Sequence, residues 1–444
     1  MRKLVFISVG LLCYLSLQPW AVRHLFGPEP WRYAVPLAGF FAFLVFQNVP
    51  YLRHSAGIRL NALMGGYVLA ISGALSLLLD GVALFVLYTR LTEPLEPLTL
   101  ALDLAVGLLA AFVSLFNGFL RMVLLGRQVG FTLKVLWLLL WWCPVVNLVL
   151  TCKICHRVRR EYFVELAKIE TDAVRQENLV CSTQYPVLLV HGVFFRDWQF
   201  FNYWGRIPAE LQRNGCRVYY GHHQSAASVA DSASELAQQI LSVIQSSGAP
   251  KVNIIAHSKG GLDARYAISR LGMDKFVASL TTINTPHRGC LWAESLLLRL
   301  PSALVRFVAA RYDSLFSHLG DSHPDFLAAV NELTASAATV RNDSTPDAPG
   351  VLYQSVMSKM NSWRSAHFPL NAAFLLVKPV EGDNDGLVAT SSAYWGRQLP
   401  LVTNPRGFGV SHGDMIDLFR ENINGFDVRE FYVSLVASLK QQGL

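Results

Sequence analysis

"KVNIIAHSKGGLDARY", residues 251–266, decides the fold of the C-terminal part of this 444-residue chain. Its opening, Val252 to Ala256, is a short, mainly apolar run of the kind that forms a strand buried on both faces. Ser258 follows at once, with small residues two before it (Ala256) and two after it (Gly260), and a helical pattern then runs from Gly261 to Leu271. A strand, a sharp turn and a helix in that order lift a serine hydroxyl above the end of a sheet, provided that the flanking residues are small enough to avoid each other. Ala256 stands where glycine is usual in the G-x-S-x-G pattern, and alanine is still small.

Working outward, similar runs occur at 186–190 ("PVLLV"), 216–220 ("CRVYY"), 278–284 ("ASLTTIN"), 373–379 ("AFLLVKP") and 399–403 ("LPLVT"). Helical stretches such as Asp231 to Gln245 lie between them. Apolar strands alternating with helices predict a mostly parallel sheet covered on both faces, an α/β class.

A serine at its ordinary pKa needs a general base, and that base needs an orienting carboxylate. With the elbow's usual order of serine, acid, then histidine, "EGDNDGLV" (381–388) offers Asp383 and Asp385, and "GVSHGDMIDL" (409–418) offers His412. His287, His318, His323 and His367 precede that acid and break the order. His412 is therefore assigned as base and Asp385 as its orienter, with Asp383 in reserve. Negative charge on a carbonyl oxygen attacked by Ser258 needs waiting backbone N–H groups. Lys259 supplies one, and Val193, after His191-Gly192 in "LLVHGVFF" (188–195), supplies the other. The Lys259 side chain is expected in solvent, and His191 is expected to serve the turn.

The N-terminal third obeys a different solvent. Overall hydrophobic content is 52% against 16% charged residues, and the excess is concentrated before residue 153. Apolar runs at 4–22, 33–52, 60–87, 98–125 and 133–151 each approach or exceed the roughly 20 residues that a bilayer core requires. The first follows Arg2 and Lys3 without a small-x-small cleavage site and reads as a signal anchor. If all five runs span, Lys and Arg divide evenly between the two sides. If the fifth, with its tryptophans and Pro144, lies in the interface or re-enters, the basic loops favour one side, which places both termini and the C-terminal domain on the cytoplasmic face. Asp80 and Asp103 lie in or near apolar runs and are read as structural or interfacial rather than as a transport path.

The net charge of +7 comes from basic residues beside apolar segments, where anionic lipid headgroups account for them. No basic stripe interleaved with aromatics suggests nucleic acid. Seven cysteines give no disulfide framework. "CKICH" (152–156) matches the C-x-x-C-H spacing, but at a juxtamembrane helix end it reads as a plain helix segment rather than a haem site. No redox cofactor is expected.

Five blocks carry a resemblance: "YPVLLVHG" (185–192), residues 251–266, "VASLTTINTPHRG" (277–289), "NDGLV" (384–388) and "SHGD" (411–414). In this order, over about Tyr185 to Leu418, they resemble the pseudomonad-type bacterial triacylglycerol lipases. The resemblance implies an α/β-hydrolase fold, hydrolysis of carboxylic esters of long-chain lipid, a triad of Ser258, Asp385 and His412, and an oxyanion hole from Val193 and Lys259. It also implies a structural calcium near the histidine. Asp414 matches one ligand position, but "YQSVMSKMNSW" (353–363) shows no partner acid. Those lipases are secreted and lack a multi-span anchor, so substrate and compartment do not transfer with the motif.

The expectation is an all-α transmembrane bundle (1–152, four or five spans), a polar connector (153–184, helical over 156–177) and an α/β-hydrolase domain (185–444). Amphipathic helices within 291–345 either pack on the core or form a lid that opens against a bilayer. The partners are the bilayer and a lipid or hydrophobic ester. An acyltransferase or thioesterase with the same triad, or a lipid-binding scaffold without catalysis, is the alternative. Oligomeric state is not legible in the sequence.

Overall fold

A computed structural model describes residues 2–18, 34–90, 97–175, 177–193, 203–224, 226–318, 324–405 and 407–444. The chain divides into two compact units, Met1–Ala173 and Val174–Leu444.

In the first unit the described helices are α1 (Arg2–Ser16), α2 (Ala34–Asn48), α3 (Ile58–Arg90), α4 (Pro97–Leu125), α5 (Phe131–Leu139) and α6 (Pro144–Arg175). Among the described residues two helices are long and apolar enough to cross a membrane, α3 over Ile58–Val82 and α4 over Ala101–Leu125; the first two apolar runs extend into residues outside the described ones. The fifth apolar run is not one helix. It breaks after α5, and Pro144 opens α6, a first-turn position where its missing N–H costs no hydrogen bond. Because α6 continues to Arg175, the expected boundary at 152 falls inside a helix, and the polar connector is that helix's second half as far as Arg175, with 177–184 outside it.

Small residues let α3 and α4 approach closely. A methyl group on Gly66 would stand 2.8 Å from the Gly118 carbonyl oxygen, and one on Gly118 would stand 2.7 Å from that of Gly66. Several of the polar groups buried in this apolar setting are paired. Gln47 Nε2 donates to Ser114 Oγ at 2.7 Å, and Arg121 Nη2 donates to the Gln47 carbonyl at 2.6 Å. Buried Glu161 accepts from Arg59 Nη1 at 2.6 Å and from the Gln128 backbone at 2.9 Å. Asp80 accepts from the Tyr14 hydroxyl and the Gln18 side chain, in keeping with a structural role.

The second unit is a parallel sheet in the order β2-β1-β3-β4-β5-β6. Its strands are β1 (Val187–Val190), β2 (Val218–Tyr220), β3 (Val252–His257), β4 (Val277–Ile283), β5 (Leu352–Val356) and β6 (Arg397–Gln398). Successive side chains alternate between two cores, as the two-residue strand period requires. Val187, Leu189 and Ile255 join Ile283 and Val356 on one face, against α7 (Ile207–Arg213) and α15 (Val428–Gln441). Leu188, Val190, Ile254 and Ala256 join the other face, against α8 (Val229–Ser247) and α9 (Gly260–Arg270).

Between β4 and β5 lie α10 (Leu291–Arg299), α11 (Ser302–His318), α12 (Phe326–Asn331) and α13 (Ala335–Ser344); α14 (Leu370–Glu381) follows β5. The expected strand at 373–379 is thus a helix, and the fifth strand is instead "LYQSV". The run at 399–403 pairs through the single bridge Ser358–Val402 just beyond β6. Residues 177–186 belong with this unit, since the Gln184 N–H donates to the carbonyl of the C-terminal Leu444 at 2.9 Å.

Candidate active site

Ser258 closes β3 with φ +55°, a left-handed conformation that a non-glycine residue keeps only where its surroundings enforce it. Its N–H donates to the Ile283 carbonyl at 2.9 Å, and its own carbonyl accepts from Thr285 Oγ1 at 2.8 Å. The turn also needs glycines on both sides. A methyl group on Gly260 would run into the His191 carbonyl oxygen, and one on Gly192 would lie 2.7 Å from Ser258 Cβ. The β1 loop is therefore pressed against the serine, and Val193, buried, is the next residue along it.

His412 and Asp385 face each other: His412 Nδ1 lies 2.7 Å from Asp385 Oδ2, and the His412 N–H donates to the Asp385 carbonyl at 2.8 Å. The second carboxylate oxygen accepts the N–H groups of Leu387 (2.9 Å) and Val388 (2.8 Å). The acid is fully buried and fixed at both oxygens. Asp385 accepts the Nδ1 proton, which leaves Nε2 as the basic nitrogen of a neutral His412. The ring of His257, adjacent to Ser258 in the chain, packs 4.4 Å from the His412 ring. Asp383, the reserve acid, turns the other way and is ion-paired with Lys359 (2.5 Å) and Lys378 (2.6 Å), whose hydrogen bonds hold its carboxyl below the usual range.

His257 is itself tied down. Its Nδ1 lies 2.7 Å from the Tyr203 hydroxyl, which accepts the Gly192 N–H at 3.1 Å. Burial, with His412 nearby, holds the His257 imidazole well below its ordinary pKa. Tyr203 escaped the sequence reading because nothing in its local pattern marks it; only the fold brings it under the elbow.

One correction concerns Lys259. Its side chain is not in solvent but 1% exposed, with Nζ donating to Asp263 Oδ1 at 2.8 Å and to Ser232 Oγ at 2.9 Å. The i,i+4 spacing of Lys259 and Asp263 across the start of α9 was the available signal.

Compared with known proteins, residues 217–321 match the family described as "Putative serine esterase" (DUF676). A triacylglycerol lipase of Vibrio cholerae is 32% identical over 242 residues, covering 49% of this chain and 76% of that protein. The chain belongs to the lipase family of α/β hydrolases. Triacylglycerol lipases of Pseudarthrobacter phenanthrenivorans and Burkholderia plantarii are each 37% identical over 180 residues, covering 38% of this chain. The chain spans about half the length of these two, 56% and 49%. Among solved structures, the mature Bacillus licheniformis lipase BlEst2 is similar at a TM-score of 0.41 and 21% identity, over 53% of this chain and 87% of that one.

In this lipase-family chain the block "TPHRG" is structural. Arg265 Nη1 lies 3.3 Å from His287 Nδ1 and donates to Asn342 Oδ1 at 2.9 Å, its guanidinium lying 3.4 Å over the Trp395 ring. His287 Nε2 lies 3.0 Å from Thr282 Oγ1, which ties the loop back onto β4. His318 contacts its own helix at Ser314, His367 pairs with Glu421 at 3.2 Å, and His323 lies outside the described residues.

Asp414 accepts the Ser411 N–H at 2.8 Å, and burial pushes its carboxyl up to about 6. Calcium takes six to eight oxygen ligands. Asp414 is engaged in its own turn, and among the described residues no three His, Cys, Asp or Glu side chains converge on a metal position. The same loop is braced by Asp417, whose carboxylate accepts two hydrogen bonds from the Arg206 guanidinium, at 2.7 and 2.8 Å.

Proposed function

We propose that the chain is a membrane-anchored serine hydrolase that cleaves carboxylic esters of lipids or other hydrophobic acyl groups through an acyl-enzyme. The observation that carries this reading is the buried Asp385–His412 pair, whose imidazole packs 4.4 Å from the ring of His257, the residue before the left-handed Ser258 at the strand-to-helix turn. His412 Nε2 takes the Ser258 proton as Oγ attacks the ester carbonyl. The N–H groups of Val193 and Lys259 receive the oxyanion, and His412 returns the proton to the departing alcohol. Water, deprotonated by the same histidine, then releases the acid and restores Ser258.

Substrate class and membrane association are inferred together. The apolar helices of the first unit supply an anchor. In the second, α10 and α11 expose Leu296, Leu298, Leu304, Phe307 and Val308 to solvent, a patch that a lipid surface would cover. Residues 291–345 act in this reading as a lid that opens against the bilayer, and with the fifth apolar run outside the bilayer core the balance of Lys and Arg puts the hydrolase on the cytoplasmic side.

Hydrolysis of short and long acyl p-nitrophenyl esters by the detergent-solubilised chain tests this, wild type beside Ser258→Ala. The expected loss is about 10³-fold or more, with the wild type fastest on long chains. Equal rates in the two proteins would overturn it. Acyl transfer to an added alcohol in place of release to water would move the reading to an acyltransferase.

A further inference from the structure

Behind the elbow lies a buried set of charged and aromatic groups that the mechanism above does not use. Lys259, Asp263, His223 and His191 are each about 1% exposed or less. Asp263 Oδ1 holds Lys259 Nζ at 2.8 Å, and its Oδ2 lies 3.5 Å from His223 Nε2. The His223 ring stacks on that of His191 with centroids 4.2 Å apart and planes 12° from parallel. His191 Nδ1 in turn lies 3.0 Å from the Gly192 carbonyl oxygen. A carbonyl can only accept, so Nδ1 carries the hydrogen.

That carbonyl belongs to the same peptide unit as the Val193 N–H. The other end of the set is the side chain of Lys259, whose backbone N–H is the second proposed donor. The geometry points to Lys259, Asp263, His223 and His191 as positioning residues, a continuous buried bridge that fixes both oxyanion-binding peptides from behind and sets their separation. This inference rests on the reading of Ser258 as nucleophile.

Three features give the bridge its function. Ser232 Oγ, in the first turn of α8, accepts a second hydrogen bond from Lys259 Nζ at 2.9 Å and anchors the ammonium to a separate helix. Asp263 lies in the first turn of α9, where the helix dipole favours its charge. The hydrogen bond from His191 to the Gly192 oxygen polarises the peptide and strengthens its N–H as a donor on the far side. A neutral residue at position 259 would keep the backbone donor but lose what holds it in place.

The test uses the full chain in detergent: Lys259→Met, Asp263→Asn and the double variant K259M/D263N. The readouts are kcat and KM on a p-nitrophenyl ester, the rate of Ser258 labelling by an alkyl fluorophosphonate, and Tm. Each single variant leaves an uncompensated buried charge and lowers Tm, and the double variant removes that penalty. Donors displaced by up to an ångström cost on the order of 10- to 100-fold in kcat, with KM within about twofold. The expected pattern is a Tm that recovers in the double variant while kcat and labelling rate stay low. Recovery of kcat together with Tm, or single variants with wild-type kcat, would overturn the inference and leave the ion pair a stability element. Wild-type protein that neither labels nor hydrolyses would instead remove the Ser258 reading, and this inference with it.

Discussion

Asp385 Oδ2 lies 2.7 Å from His412 Nδ1, whereas Asp383, two residues earlier, is ion-paired with Lys359 and Lys378. The divergence follows from the tight loop after α14. Backbone N–H groups of Leu387 and Val388 hold the Asp385 carboxylate inward, and the cationic side chains of Lys359 and Lys378 draw Asp383 outward. Two acids that the sequence leaves as alternatives thus have different surroundings and should have different consequences.

Asp385→Asn should lower kcat by about 10⁴-fold, because an amide leaves His412 without the partner that fixes its tautomer and stabilises its charged form. Asp383→Asn should stay within about threefold of wild type. Steady-state kinetics on a p-nitrophenyl ester decide this, and a larger loss from the Asp383 variant would exchange the roles.

Gly192→Ala tests how closely the β1 loop must approach the serine. The added methyl would stand 2.7 Å from Ser258 Cβ and 3.0 Å from the Tyr203 hydroxyl, so the elbow or the loop must shift by a few tenths of an ångström. We expect kcat to fall at least about 10-fold through misplacement of nucleophile and oxyanion donor, with the fold retained by thermal melting. An unchanged kcat would show that the loop yields freely.

The legible part of the site is its local part. Strand, elbow and helix around Ser258 are legible in residues 251–266 because the apolar run, the small residues flanking the serine and the helical pattern fall in one window, although the contacts that hold the turn come from Ile283, Thr285 and His191. The missed strand, Leu352–Val356, was hidden by polar residues inside a sheet. Gln354 and Ser355 are buried because their side chains find partners, Gln354 Nε2 donating to Thr281 Oγ1 at 2.7 Å and Ser355 Oγ accepting the Trp395 N–H at 2.9 Å. Conversely, "AFLLVKP" looked like a strand because Ala373 to Val377 is an unbroken apolar run. As a helix it buries Phe374 and Val377 and leaves Leu375, Leu376 and Val380 exposed. The Tyr203–His257 contact and the His191–His223 stack join segments distant in sequence, and no window of local pattern contains them.

Two buried histidines should make stability depend on pH. Burial holds His257 and His287 well below their ordinary pKa, with His412 adding to the effect on His257 and Arg265 to that on His287. Below about pH 6.5 the unfolded chain binds protons that the folded chain refuses. Their contribution is therefore complete above that pH and is lost as pH falls, by up to about 1.4 kcal/mol per unit for each ring. Asp263 and Asp414, pushed up to about 6 by burial, work in the opposite direction between about 6 and the carboxyl's ordinary value, where the folded state takes up the proton first. Comparison with His287→Gln cancels those carboxyls. The stability gap between wild type and variant, from denaturant melts, should narrow by about 1.4 kcal/mol per unit below pH 6.5. A gap that stays constant to pH 5.5 would show that His287 is protonated in place.

The exposed apolar residues of α10 and α11 offer a test that separates chemistry from contact with lipid. Leu298 is 82% and Phe307 58% exposed, and residues of this size left in water are each worth about 1.5–3 kcal/mol if a lipid surface covers them. Replacing both with serine removes that gain without touching Ser258, Asp385 or His412. A water-soluble short-chain ester should then be hydrolysed within about twofold of the wild-type rate, whereas turnover of long-chain ester in vesicles should fall by about 10-fold or more at limiting lipid. Equal loss on both substrates would assign these side chains to the packing of the hydrolase unit, and no loss on either would move the lipid contact elsewhere on the chain.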